Sequence, residues 1–279
     1  MNRCFLAIVV SIMLVGCQLQ SKDSDAAKTV GASETPKSMP VVRRTIPFMG
    51  TFYQITNVSD FDIVFTPGDY NVEVEGPEAL LGALNSTVDS GIITFSQSEG
   101  GKSSSYINGK TNGLGTIYVS CPQLQILAVC SGGSFRSEGT IHTPSLHVGM
   151  LSTASIDMDS VCCDDRFIYE TSNDGNASFS SIRAGGDVTM YMSDNGTVRA
   201  DIQTPGTLFV NTGAKSISYL NGRASRVDMI SLGHSDCRLG VAADKLVLSA
   251  QDQSHVEISA RYKQHDIKQG RNARVTETL

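Results

Sequence analysis

The sequence predicts an all-β fold, a β-solenoid whose coils each take about twenty residues. Three observations carry this. Apolar strand starts recur at Leu124, Leu146, Phe167, Val188, Leu208, Val227 and Leu246, so the spacing is nearly constant and tightens slightly along the chain. A near-fixed period of this size marks a stack in which each turn buries its apolar edge only against its neighbours. A second apolar position follows each start at a similar offset, at Phe135, Ile156, Phe179, Val198, Ile217, Cys237 and Val256. Between the two lie SGGS, STAS, SNDGNAS, SDNGT, TGAKS, LGHSD and QDQS, rich in the residues that turn geometry demands. A β-sandwich would also use short strands and polar turns, but it has no reason to keep the internal offset constant.

Residues 1–16 read as a lipoprotein signal peptide. Asn2-Arg3 is a short basic start, Phe5 to Val15 is an apolar run too short to span a bilayer comfortably, and Leu14-Val15-Gly16-Cys17 resembles the bacterial lipobox. That motif implies cleavage before Cys17 and attachment of acyl chains, palmitate among them, to Cys17. Several chains at about 0.8 kcal/mol per buried methylene anchor a protein durably. Residues 17–41 are then a lipidated tether, too polar to fold, with a reach of roughly 25 Å. Gln18 after the anchor suits an outer-membrane lipoprotein facing either the periplasm or the cell surface.

Residues 42–122 depart from the twenty-residue period and are expected to cap the stack as a β-rich segment. The stretch 60–76 gives a strand, a Pro67-Gly68 turn and a second strand with Tyr70, Val72 and Val74 inward and Asn71, Glu73 and Glu75 outward. PEALLGALN (77–85) reads as a brief helix opened by proline. Strands Gly91 to Phe95 and Thr116 to Cys121 follow, split by a Gly/Ser-rich loop at 98–115. Residues 123–279 hold the coils, closed by the polar stretch Arg261 to Leu279 where an open edge would recruit a neighbour.

The segments FDIVFTPGDYNVEVEGPEALLGALNSTVDSGIITFS (61–96) and TIYVSCPQLQILAVCSGGSF (116–135), with the repeats after them, resemble the putative auto-transporter adhesin, head GIN domain family of Bacteroidota. The resemblance spans roughly residues 43–275. It implies a right-handed β-helix similar in shape to the pectin-lyase fold, an envelope lipoprotein setting, no established catalysis and a role in adhesion. The family's SGSG-like turn is approached only by Ser131-Gly132-Gly133-Ser134.

Few residues point to chemistry. Net charge is −6 without long runs, and no basic stripe is present for phosphates, which argues against nucleic acid. A polygalacturonase-like set would draw on Asp164-Asp165, Gly233-His234 and Arg261-Tyr262-Lys263, but Asn-x-Asp is missing. Asp165 and His234 would also stand roughly 16 Å apart along the axis at about 4.8 Å per coil, beyond the ~10 Å that suits two groups on one glycosidic bond. Asp157, Asp159, Asp164 and Asp165 crowd one coil, yet lack the spacing of a calcium loop. His142, His147, His234, His255 and His265 show no paired ligand spacing and are expected on outer faces. Cys121, Cys130, Cys162, Cys163 and Cys237 cannot all pair with one another, and read as small buried hydrophobes.

The expectation is therefore a membrane-anchored rod with no catalytic residue, metal or cofactor, whose polar face takes a glycan or an extracellular protein. A polysaccharide-processing enzyme and a purely structural envelope protein are the alternatives.

Overall fold

The computed structural model describes residues 40–97, 106–107, 110–111, 115–172 and 174–278. The expected signal peptide, Cys17, nearly all of the tether and most of the 98–115 loop lie outside them.

The chain forms a β-solenoid built from two ladders of parallel strands. In the first ladder Leu146–Met150, Phe167–Thr171, Val188–Met192, Thr207–Thr212 and Arg226–Ser231 pair in succession. In the second, Ser155–Cys163, Asn176–Ala184, Thr197–Gln203 and Ile217–Arg223 do the same. Asp236–Ala250 is long enough to serve both, pairing with Ile217–Arg223 through its first half and with Arg226–Ser231 through its second.

The period drifts for a local reason. In Ser155–Cys163 the buried residues are Ile156 and Met158, then Val161 and Cys163, so the alternation slips once at Asp159-Ser160. A slip of this kind bends a strand, so one strand lines two sides of the coil. Asn176–Ala184 repeats the slip, but Thr197–Gln203 alternates without it, burying Val198, Ala200 and Ile202. Pairing accordingly changes from Ala177 with Val198 to Ile182 with Ile202, and the coil shortens by a single position. A second position goes from the next corner: Gln203 pairs with Arg223, whereas Thr207 already pairs with Arg226.

The register corrects three sequence assignments. The strand expected from Leu124 begins at Ile126, which pairs with His147 and not with Leu146 or Val148, so the first interval is one position shorter than Leu124 to Leu146 implies. Leu124 is nonetheless fully buried just ahead of it. The column of second positions runs Phe135, Ile156, Ala177, Val198, Ser218, in place of Phe179 and Ile217. Phe179 lies one inward step further on, because its ring fills the interior against Phe167 and Tyr169 at 5.3 and 5.2 Å.

The N-terminal segment both caps the stack and supplies coils, out of sequence order. Gln54–Val58 lies between Ile126–Val129 and Ile92–Gln97, parallel to both. Asp62–Pro67 lies likewise between Phe135–Ser137 and Thr116–Cys121. The chain thus lays down one coil, turns outward, returns as the coil beyond it, and then steps over the first to continue the rod. Antiparallel strands Val41–Thr45, Asn71–Pro77 and Leu84–Asp89 finish this end, and antiparallel cover is one way to protect a sheet edge. Val72 and Val74 point inward as expected, but Tyr70 is exposed, standing before the strand with its ring against Phe52. The brief helix is a single turn, Glu78–Leu81, with Pro77 at its N-cap.

Side chains pin the step. Asp60 accepts hydrogen bonds from Ser131 Oγ at 2.7 Å and Gly132 N at 3.1 Å. Asp62 accepts from Ser134 N at 2.8 Å and Ser134 Oγ at 2.6 Å. The SGGS turn is thus stacked on the turn of a coil laid down much earlier in the chain. Buried Asn57 holds that earlier turn, donating from Nδ2 to Phe61 O and accepting from Ser59 N and Oγ.

At the other end, Tyr262–Gln269 and Arg274–Glu277 form a last coil. His265, Ile267 and Gln269 fall beneath Leu246, Leu248 and Ala250, so two of these three inward columns turn polar there. A coil with so little apolar surface offers no floor for another.

Candidate functional site

The structure does not gather the residues that a polygalacturonase-like set would draw on. Asp164 and Asp165 sit at the corner after Ser155–Cys163, whereas His234 sits at the corner after Arg226–Ser231. Between them Phe167 pairs with Val188, Val188 with Leu208 and Leu208 with Val227, a separation of three coils on different corners. Arg261 and Lys263 are further along, where Lys263 Nζ meets Asp244 Oδ1 at 2.9 Å. Asp157 and Asp159 point outward, both exposed. Among the described residues no group of three or more His, Cys, Asp and Glu is placed to hold a metal ion.

His142 and His234 are exposed, as expected of outer faces. His147 and His255 are half-buried beside carboxylates, Nε2 3.4 Å from Glu170 and Nδ1 3.3 Å from Asp236. His265 differs, occupying an inward position on the last coil while remaining exposed.

The five cysteines of the described residues form no disulfide. Cys121, Cys163 and Cys237 are buried, and loss of hydration pushes each thiol up to about 12. They behave as small hydrophobes and not as nucleophiles, since a thiolate is what reacts. A pH dependence follows. Below about pH 8 the thiols are protonated in folded and unfolded chains alike and contribute no slope. Between about 9 and 12 the unfolded chain releases protons that the folded chain retains, so stability falls as pH rises. The thermal midpoint is expected to decline from about pH 9 upward, and Cys237→Ala to make that decline shallower. A midpoint that rises, or the same slope in the variant, would contradict this.

The outer surface holds what the sequence did not reveal. On the outward side of the first ladder Tyr191, Phe209 and Ile230 are 40%, 38% and 46% exposed. They belong to Val188–Met192, Thr207–Thr212 and Arg226–Ser231, three consecutive strands of the ladder. Tyr191 pairs with Asn211 and Asn211 with Ile230, while Phe209 pairs with Asp228, so apolar and polar groups alternate across the face. With Val247, Gln251 and Lys268 they line a shallow depression of about 680 Å³. Period-2 alternation forces this: with Val188, Met190, Leu208 and Val210 inward, the residues between them must face solvent.

Residues 51–181 match the family described as putative auto-transporter adhesin, head GIN domain. This segment of the chain belongs to that family. The head GIN segment takes in the out-of-order coils, the SGGS turn and the strands through Ser181, and the same coil geometry continues beyond it to residue 277. Solved structures agree on the fold. A putative adhesin from Bacteroides fragilis is 15% identical, with 86% of this chain and 98% of that one covered and a TM-score of 0.59. One from Parabacteroides merdae is 10% identical, with 86% and 96% covered and a TM-score of 0.64. A protein described as a putative lipid binding protein, from Parabacteroides distasonis, is 13% identical, with 86% and 97% covered and a TM-score of 0.60. No curated protein sequence matches the chain.

Proposed function

We propose that the chain is a lipid-anchored adhesin of the bacterial envelope, held at Cys17 and binding an extended glycan or an extracellular protein along the outer face of the first ladder. The observation that carries this is the cluster of exposed Tyr191, Phe209 and Ile230 on consecutive strands, beside polar Asn211 and Asp228. Exposed aromatics among hydrogen-bonding groups give contact area with little loss of side-chain freedom, the usual make-up of a recognition surface. The adhesin family of residues 51–181 supports the same reading. The dispersal of Asp165, His234 and Lys263 favours it over polysaccharide cleavage.

The test is to incubate the full chain, purified in mild detergent, with an array of glycans and extracellular proteins while following reducing-end release. Binding without release is expected, weakened about tenfold or more by Tyr191→Ala with Phe209→Ala. In cells Cys17→Ala is expected to move the chain out of the membrane fraction and to abolish labelling by a clickable palmitate. Release of reducing ends abolished by Asp165→Asn would replace adhesion with catalysis, and unchanged labelling of the Cys17 variant would remove the anchor.

A further inference from the structure

A second surface, on the outward side of the other ladder, is a groove of about 950 Å³ beside the corner where the coil shortens. Arg183 pairs with Gln203 and Gln203 with Arg223, so these three side chains form one outward row across three coils. Asp201 stands two positions before Gln203 on the same strand. The floor is made by small residues, Gly222, Ala224, Ala242 and Ala243 among them. Gly222 has φ +117°, and a Cβ there would meet the carbonyl oxygen of Ile202 on the coil beneath, so the floor is closed to any larger residue. Arg261 and Lys263 stand at the far wall.

The charge of this groove runs against that of the molecule. Four cations, Arg183, Arg223, Arg261 and Lys263, face two anions, Asp201 and Asp244, in a chain whose net charge is −6. Asp244 is engaged by Lys263 at 2.9 Å and lies within electrostatic reach of Arg223. Among the described residues the Arg183 and Arg261 side chains meet no carboxylate within bonding distance. Two other arginines of the same ladder are engaged, Arg199 and Arg238 both lying over the Tyr219 ring and Arg238 also reaching Glu257.

We infer that this groove is a binding site for a linear acidic polysaccharide, one whose carboxylates or sulfates fall on Arg183 and Arg223 and whose hydroxyls fall on Gln203 and Asp201. Guanidinium groups take such anions through two parallel hydrogen bonds. Two coils separate Arg183 from Arg223, about 10 Å, so the row reads negative charges repeated along a stretched chain. The amide and carboxylate between them suit a ligand that carries hydroxyls between its charges, which an acidic peptide does not. Single-stranded nucleic acid is disfavoured because it needs exposed rings for its bases. Among the described residues the only aromatic lining the groove is Tyr262, whose hydroxyl is buried. The site lies on a different face from Tyr191 and Phe209 and does not depend on them.

The test is biolayer interferometry of the full chain in mild detergent against polygalacturonate, chondroitin sulfate, neutral dextran and a single-stranded oligonucleotide. Binding to one or both acidic polysaccharides, weakening with salt, and none to dextran is expected. Polygalacturonate and chondroitin sulfate separate carboxylate from sulfate as the preferred anion. Arg183→Ala with Arg223→Ala should weaken that binding about tenfold or more, and the pair of Lys substitutions should restore it only in part. Lys215→Ala with Arg271→Ala removes the same charge from exposed positions elsewhere and should change little. Circular dichroism confirms that each variant is folded. Equal binding to dextran or to the oligonucleotide, an unaffected groove variant, or an equal loss in the Lys215/Arg271 variant would overturn the site. Array binding that survives in the groove variant leaves adhesion standing without this site; acidic-polysaccharide binding with no loss in the Tyr191/Phe209 variant leaves the site standing without that adhesive face.

Discussion

Gly133→Ala is expected to destabilise the fold by about 3 kcal/mol or more, read as a lowered urea midpoint, whereas Gly132→Ala in the same turn should cost well under half of that. The difference lies in what each new Cβ would meet. At Gly133 it would fall on backbone, on the carbonyl group of Phe61, and close to Asn57 Nδ2 at 3.0 Å. Backbone already fixed between two neighbouring coils cannot withdraw without breaking its ladder. At Gly132 the nearest atom is Asp60 Oδ1 at 3.1 Å, the end of a side chain that can turn aside. Displacing Phe61 would also disturb the bond from Asn57 to its carbonyl and the Ser134 bonds to Asp62 next door. Equal losses at the two glycines would mean that the turn does not bear on the coil beneath it.

The same turn marks where sequence reading stops. Ser131-Gly132-Gly133-Ser134 is visible as a turn from composition alone. Its partners, Asp60 and Asp62, are not, because nothing in the spacing says that a coil so far upstream lies directly beneath. Period detection works where neighbours in space are neighbours in sequence, as from Leu146 to Ala250, and there the strands fall near the expected places. It fails for Gln54–Val58, whose two ladder partners begin only at Ile92 and Ile126. It fails also for Phe179, since hydrophobicity cannot say which of two inward positions carries the ring when Ala177 holds the other.

The outer face was hidden for a different reason. Phe209 sits between Leu208 and Val210, so the stretch reads as one apolar run, and only the ladder reveals that the middle residue points away from the core. Tyr191, Phe209 and Ile230 have no constant spacing because they occupy two outward columns, not one. Arg183 and Arg223 fall in one row only because the coil has already shortened between them, so that Gln203 stands midway and pairs with both. The shortening itself was legible in the intervals, but its cause, a slip at Asp159-Ser160 that is absent from Thr197–Gln203, was not.

Val188→Asp is expected to cost about 4 kcal/mol or more, while Thr189→Asp, its outward neighbour, should stay within about 0.5 kcal/mol of the parent. Val188 is fully buried, and its ladder neighbours are Phe167 on one side and Leu208 on the other. An aspartate there meets no donor from either, so it must be buried uncompensated or pull the strand open. Each coil is held mainly by the two beside it, so the damage should be greatest in Val188–Met192 and its neighbours. Hydrogen exchange followed by mass spectrometry is expected to show faster exchange in residues 167–212 than in Asp62–Pro67. Those strands present Tyr191 and Phe209, so the variant should also lose array binding, whereas Thr189→Asp should keep its protection against exchange. Uniformly faster exchange across the whole chain would show that the rod unfolds as one unit and that its coils do not fail locally. Native stability in Val188→Asp would refute the inward assignment of this column, and with it the outward placement of Tyr191 and Phe209 on which the adhesive face depends.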